Sequence, residues 1–213
     1  MLDCDVFFSS GIFDVDADAE LFRRLEQTGT DETLRFWERR QPAVILGALG
    51  KVERDVHEDV CRRDNVPIVR RLSGGGAVVV GQGCLNYSLL FSLEHWPELR
   101  SVKDSYSIIL NRIVECLNLA SLAVRGTSDL AIGQYKISGN AQRRGRRALL
   151  HHGTVLYDFD VNSMERYLKY PERQPAYRAN RSHTAFVTNV SLQPNAIKER
   201  ITQAWNTLKG QAA

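Results

Sequence analysis

Two runs in this chain combine residue types that could do chemistry. The first, Arg70-Arg71-Leu72-Ser73-Gly74-Gly75-Gly76-Ala77, joins an apolar segment at 66–69 to Ala77-Val78-Val79-Val80. Three glycines between β-branched runs cost conformational entropy, so the backbone there needs freedom or close approach to something. Two arginines at the same turn suggest an anionic group facing bare backbone. The second run, Tyr135-Lys136-Ile137-Ser138-Gly139-Asn140-Ala141-Gln142, sets one lysine in a small, polar strand. Alternation puts Lys136, Ser138 and Asn140 on one face, opposite Ile137, so a cation ringed by small residues leaves room for a ligand. Together the runs point to an enzyme that handles a carboxylate and a phosphate.

Each run also has a plainer reading. A glycine-rich turn is more often a structural corner than a ligand clamp, and a lone lysine in a strand is more often merely exposed. The first run matches neither G-x-x-x-x-G-K-[ST] nor G-x-G-x-x-G and enters a strand, so no helix N-terminus cradles a phosphate there. His151-His152-Gly153-Thr154 follows on the next strand. Adjacent histidines on a strand point to opposite faces and do not share a metal. A satisfied core position and a catalytic role are equally open for them.

The elements that must position these residues can be read from periodicity. Residues 4–9 form a first strand, and Asp14 caps a helix running to about Gln27 and ending at Gly29. Residues 33–38 and 43–49 read as a strand pair turned near Gln41-Pro42, and 54–64 as a charged, exposed helix. Along 84–91, Leu85, Tyr87, Leu89 and Phe91 alternate with Asn86 and Ser88. Val102, Tyr106, Ile109, Ile113 and Cys116 recur at helical spacing. Strands follow at 128–132, 136–143 and 148–158, then a short helix at 162–169 and a terminal one through Ile197, Ile201, Ala204, Trp205 and Leu208. Strands cluster and helices flank them without βαβ alternation. The expected fold class is α+β, with mixed β-sheets flanked by helices in a single domain over 1–213.

Composition narrows the classes. With 213 residues, 43% hydrophobic and 25% charged, the chain is long enough for a real core. A net charge of +3 with dispersed arginine pairs gives no nucleic-acid signature. Cys4, Cys61, Cys84 and Cys116 form no C-x-x-C and fit a reducing compartment. No stretch reads as a signal peptide or membrane span, so a cytoplasmic protein is expected.

The combination R-R-x-S-G-G-G-A-V, then L-N-Y-S around Asn86, S-D-L around Asp129, K-I-S-G-N-A-Q and H-H-G-T-V-L resembles the lipoate–protein ligase A family over about residues 44–190. Each motif alone is modest, whereas five in order are a strong signal. The resemblance implies attachment of lipoate or octanoate to a lysine of an acceptor domain, through an acyl-adenylate made from ATP. By that analogy Lys136 is catalytic and bridges the lipoate carboxylate and the α-phosphate. Arg71 and Ser73 hold phosphate or the acyl-adenylate, with Gly74, Gly75, Gly76 and Ala77 laying backbone against it. Asn86, Ser138, Gly139, His152 and Gly153 complete the substrate and nucleotide site. Asp129 stands where the family orients the nucleotide and Mg²⁺, and Val78, Val80 and Tyr87 partly line an apolar slot for the lipoyl chain.

ATP and magnesium enter as substrate and counter-ion and lipoate as substrate, with no tightly bound cofactor. The implied partners are lipoyl-acceptor domains of 2-oxoacid dehydrogenase E2 subunits or the glycine cleavage H protein. No nucleic acid or membrane is implied. Three departures stand out. Val80-Gly81 replaces the family's His-Asp pair, and Ser128 replaces an Asn. The chain also reaches Ala213 without the C-terminal accessory domain of many ligases, for which a separate accessory subunit could substitute. Two alternatives carry the same motifs: an octanoyl or lipoyl transferase using a preformed acyl donor, and a non-catalytic lipoate-binding relative. A thioester route would need a cysteine near Asp129, and none lies there. The arginine-rich run 143–147 reads as a hairpin and an expected docking surface for an acidic acceptor.

Overall fold

The computed structural model describes residues 6–9 and 14–211. Strands β1 (Val6–Ser9), β2 (Thr33–Trp37), β6 (Cys84–Ser92), β7 (Leu122–Arg125), β8 (Asp129–Ile132), β9 (Tyr135–Arg144) and β10 (Ala148–Leu156) form a seven-stranded sheet. Its order is β1-β2-β6-β10-β9-β8-β7, with β1 and β2 parallel and the other pairs antiparallel. Strands β3 (Ala43–Leu46), β4 (Ile68–Arg70) and β5 (Val78–Val80) make a second sheet, ordered β4-β3-β5. The α+β architecture with mixed sheets is the one expected from the strand clustering.

Helices close the large sheet because each carries an apolar stripe. Helix α4 (Val102–Leu117) and α7 (Pro194–Gln211) bury Ile109, Ile113, Ile197, Ile201 and Trp205 against Leu85, Leu89 and Phe91. The side chain of Ser101 caps α4 by accepting from the Asp104 N–H, and Asn118 ends it in the left-handed conformation. Helix α1 (Asp14–Thr28) packs Phe22 and Leu25 against Leu90, Ala148 and Leu150. The small sheet shares its core with Trp37, Cys84, Leu156 and Phe186.

Two expectations fail for identifiable reasons. β2 and β3 are not a pair: β2 inserts between β1 and β6, while the chain crosses at 38–42 into the small sheet. Both strands are buried throughout, so neither shows the half-buried alternation of a simple hairpin. The expected helix at 54–64 is broken into α2 (Val52–Asp55) and α3 (Glu58–Arg63). Val56, buried and extended, bridges Leu168, and the His57 N–H donates to the Tyr167 carbonyl at 2.9 Å. The first strand spans Val6–Ser9, and Cys4 lies outside the described residues.

Candidate active site

A cavity of about 320 Å³ lies between the small sheet, strands β6, β9 and β10, and the segment 164–187. Its apolar wall comes from Trp37, Ile45, Val78, Val80, Tyr87 and Leu156. The alternation read along β9 holds for Ser138 and Asn140, whose side chains hydrogen-bond at 3.1 Å, but not for Lys136. Leu130 pairs with Ser138 and Ala131 with Lys136, so the register shifts at Ile137 and Lys136 reaches over Gly139 instead. At the polar end, Lys136 Nζ lies 2.6 Å from Asp129 Oδ1, and Tyr177 OH donates to Asp129 Oδ2 at 2.9 Å. A β-bulge between β8 and β9 at Leu130/Ala131 accompanies this pairing. Gly139 leaves the space that the lysine fills, since a Cβ there would stand 2.8 Å from Nζ.

The glycine-rich turn is braced from inside. Arg71 is buried and donates from Nε to Ser73 Oγ at 3.0 Å, and from its η-nitrogens to the carbonyls of Ile45, Gly74 and Gly76 at 3.2, 2.6 and 2.9 Å. Burial pushes its guanidinium down to about 10, and among the described residues no carboxylate pairs with it. An uncompensated buried cation at a cavity wall favours an anion there. Gly75 adopts φ +90°, and Gly47 is packed so closely that a Cβ on it would land on the Gly75 carbonyl. Arg70 does separate work: it donates to the carbonyls of Gly47, Ala48 and Gly50 and clamps the neighbouring turn.

Of the residues singled out from the sequence, Lys136, Arg71, Gly75, Gly76, Ala77, Asn86, Asp129, Ser138, Gly139, His152 and Gly153 line this one cavity. Ser73 and Gly74 are not in its wall. Ser73 is fully buried under the turn, with its Oγ 2.6 Å from His152 Nε2, and Gly74 is exposed outside. The histidine pair divides as strand geometry requires. His151 is buried in the core, its ring pushed down to about 3 by burial and then by the charge of His152. His152 faces the cavity.

Five contributors are not among the site residues expected from the sequence. Tyr177 and Arg178 enter on the 164–187 segment, with Arg178 stacked over Tyr170 and Phe186. His183 lines the cavity, its pKa lowered by burial and then by Arg178. Asp18 and Arg35 lie behind His152 as a buried ion pair, 2.9 Å between Arg35 Nη1 and Asp18 Oδ1. Two signals announced this pair: Asp14 and Asp18 at i, i+4 share a helix face, and Arg35 interrupts an apolar strand.

The arginine-rich hairpin sits elsewhere. Arg144 is eight residues along β9 from Lys136, about 26 Å in extended strand. Glu26 holds the hairpin by accepting from the backbone N–H groups of Arg146, Arg147 and Ala148. An acceptor docked on this hairpin would have to span that distance to deliver its lysine to the cavity.

The fold and cavity define a class: an α+β domain whose apolar slot ends at a lysine–carboxylate pair. The family model described as "Lipoyl protein ligase A/B catalytic domain" matches residues 11–205, and the chain belongs to that family. A lipoate-protein ligase A from Blochmanniella floridana is 30% identical over 160 residues, covering 73% of this chain and 45% of that protein. Proteins named octanoyltransferase LipM match at 27%. The chain spans about half the length of the curated ligase relatives it matches. In structure it resembles the bipartite lipoate protein ligase of Thermoplasma acidophilum, described with its E2 lipoyl domain. That likeness has a TM-score of 0.80 at 21% identity, covering 97% of this chain and 84% of that one. A lipoate-protein ligase A bound with ATP gives a TM-score of 0.75 at 22% identity, covering 97% and 85%. Likeness at such identities shows the fold.

Proposed function

We propose that this chain attaches lipoate or octanoate to a lysine of an acceptor-protein domain through an acyl-adenylate. The observation that carries the reading is the cavity's polarity: an apolar slot that ends at Lys136, with the uncompensated Arg71 in the same wall. An acyl chain with a carboxylate head fits that gradient. A carboxylate oxygen attacks the α-phosphorus of ATP and pyrophosphate leaves. The acceptor amine then attacks the acyl carbon, AMP leaves with the bond electrons, and the amine gives up a proton.

Lys136 neutralises the two anions as they approach, and its release from Asp129 is the local rearrangement required. Magnesium would arrive as the counter-ion of ATP. Among the described residues no group of three His, Cys, Asp or Glu side chains could hold a metal. Asp129 is already engaged by Lys136 and Tyr177, so it fits the ion only after Lys136 has moved. The relative bound with ATP and the bipartite system with its E2 lipoyl domain support the nucleotide and the acceptor class. E2 lipoyl domains and the glycine cleavage H protein are the acceptors proposed, with a separate accessory subunit as partner in activation. No helix among the described residues is long and apolar enough to cross a membrane, and a cytoplasmic location is proposed with this role.

A thioester route is disfavoured because Cys61, Cys84 and Cys116 all lie outside the cavity wall, and burial pushes the Cys84 thiol up to about 12. The test is lipoyl transfer to an apo acceptor domain in two reactions, one with lipoate and Mg-ATP and one with preformed lipoyl-adenylate. Transfer in both establishes the complete reaction in this chain. Transfer only from the adenylate assigns activation to a partner, and silence in both rejects the reading.

A further inference from the structure

A hydrogen-bonded series runs from helix α1 into the cavity wall. Asp18 is fully buried, and its carboxylate accepts from Arg35 Nη1 at 2.9 Å and from Ser88 Oγ at 2.8 Å. His152 Nδ1 faces Asp18 Oδ2 across 3.4 Å, a long contact that the carboxylate's charge still orients. The other ring nitrogen, Nε2, lies 2.6 Å from Ser73 Oγ. Ser73 Oγ also accepts from Arg71 Nε, and Arg71 holds the carbonyls of Gly74 and Gly76.

The order serine–histidine–aspartate is that of an activated nucleophile, but Ser73 cannot serve as one. Its side chain is sealed from solvent and lies outside the cavity wall. The same chemistry can instead fix a proton and, with it, a loop. Two carboxylates, Asp14 and Asp18, share one guanidinium, Arg35, so the pocket behind His152 carries excess negative charge. That charge draws the ring proton to Nδ1 and leaves Nε2 bare. A bare Nε2 can accept the Ser73 hydroxyl proton, which frees the serine lone pairs to accept from Arg71. Were the proton on Nε2, two N–H groups would converge on Ser73 Oγ and its hydroxyl proton would lose this acceptor.

We propose that Asp18, acting through His152 and Ser73, is a positioning residue that sets the glycine-rich loop against the bound acyl-adenylate. The ligand's identity rests on the function proposed above, whereas the proton placement stands on this network alone. Asp18→Asn is the discriminating substitution. Arg35 donates, so it holds the new carboxamide oxygen and turns the amide NH₂ towards Ser88 and His152. The donating NH₂ then drives the histidine proton to Nε2.

The experiment pairs long-range ¹⁵N–¹H spectra of His152 with titration of lipoyl-sulfamoyladenosine, a non-hydrolysable acyl-adenylate, and with single-turnover transfer from saturating lipoyl-adenylate. The wild type is expected to show Nδ1–H with a bare Nε2, and Nε2–H in the wild type overturns the proposal. Asp18→Asn is expected to move the proton to Nε2 and to weaken the analogue roughly ten- to hundredfold. Transfer at saturation should stay within roughly threefold, because Lys136 is untouched. An unchanged tautomer with unchanged affinity overturns it. If Asp18→Asn does not fold, Ser73→Ala tests the other end of the series. Loss of affinity by the same factor supports the relay, and full affinity overturns it. A wild type with the Nδ1–H tautomer that binds no analogue upholds the proton placement and rejects the acyl-adenylate reading instead.

Discussion

Gly153→Ala probes the cavity wall where it is most tightly built. Gly153 pairs with Tyr87 on one side and Asn140 on the other in the sheet register. Tyr87 OH donates to Asn140 Oδ1 directly over this glycine. A Cβ at 153 would land on Asn140 Oδ1, 2.7 Å from Asn140 Cγ and 2.9 Å from Tyr87 OH. Asn140 is not free to swing aside, because its Nδ2 donates to the Ser128 carbonyl at 2.8 Å and to Ser138 Oγ at 3.1 Å. Relief therefore breaks two or three hydrogen bonds at about 1 kcal/mol net each. The expected destabilisation is about 2–3 kcal/mol, read as a lower urea midpoint at unchanged slope. For a chain of this size that amounts to a fall in Tm of roughly 4–12 °C. Asn140→Ala removes the obstacle at the cost of its own bonds. The double variant should then be at least ~1 kcal/mol more stable than the sum of the singles predicts. A Gly153→Ala stability within ~0.5 kcal/mol of wild type, or strict additivity with Asn140→Ala, would refute the packing argument.

Three further outcomes follow from the same geometry. Cys84→Ser should retain full transfer activity, because Cys84 is buried at the start of β6 and outside the cavity; loss of turnover with an intact fold would revive the thioester route. Arg146→Glu should leave the KM for the acceptor domain unchanged, since Arg146 is exposed at the far end of β9 and β10; a rise above about fivefold would restore the hairpin as a docking surface. His151 has a folded pKa of about 3, below its ordinary 6.5, so the unfolded chain binds the proton first. The stability that depends on a neutral His151 is thus complete above pH 6.5 and falls by about 1.4 kcal/mol per pH unit below it. Urea titrations at pH 7 and 5.5 should show that loss in the wild type relative to His151→Phe, and parallel pH profiles would contradict it.

How much was legible depended on whether a residue's role is local. Ser138, Gly139 and Asn140 were readable as small and polar strand residues that leave room for a ligand. The face taken by Lys136 was not, because the register shift beside Ile137 breaks the alternation there. The glycine-rich turn was readable as a turn, but the use of Arg71 was not. Its guanidinium braces carbonyls that the chain brings back from residues 45, 74 and 76. Ser73 was mistaken for a wall residue because a short polar side chain beside glycines looks exposed, whereas folding seals it against a histidine 79 positions away. Tyr177 and Arg178 lie in the short 3-10 turn Ala176–Arg178, and His183 opens the four-residue helix His183–Phe186. Only tertiary placement brings Arg178 and His183 to the cavity and Tyr177 to Asp129. The missed break at Val56 is of the same kind, since its bridge partner Leu168 is over a hundred residues distant. Where periodicity dominates, as in α4 and β6, the expected and observed elements agree closely.

The central claim is that Lys136 organises an acyl-adenylate in this cavity. It is tested most directly by single-turnover transfer from preformed lipoyl-adenylate to an apo E2 lipoyl domain, with wild type and Lys136→Ala compared at matched fold by circular dichroism. The account predicts measurable transfer by the wild type and a loss of at least about a hundredfold in the variant, the scale expected when one electrostatic contact to the reacting group is removed. Transfer by Lys136→Ala at the wild-type rate would contradict it.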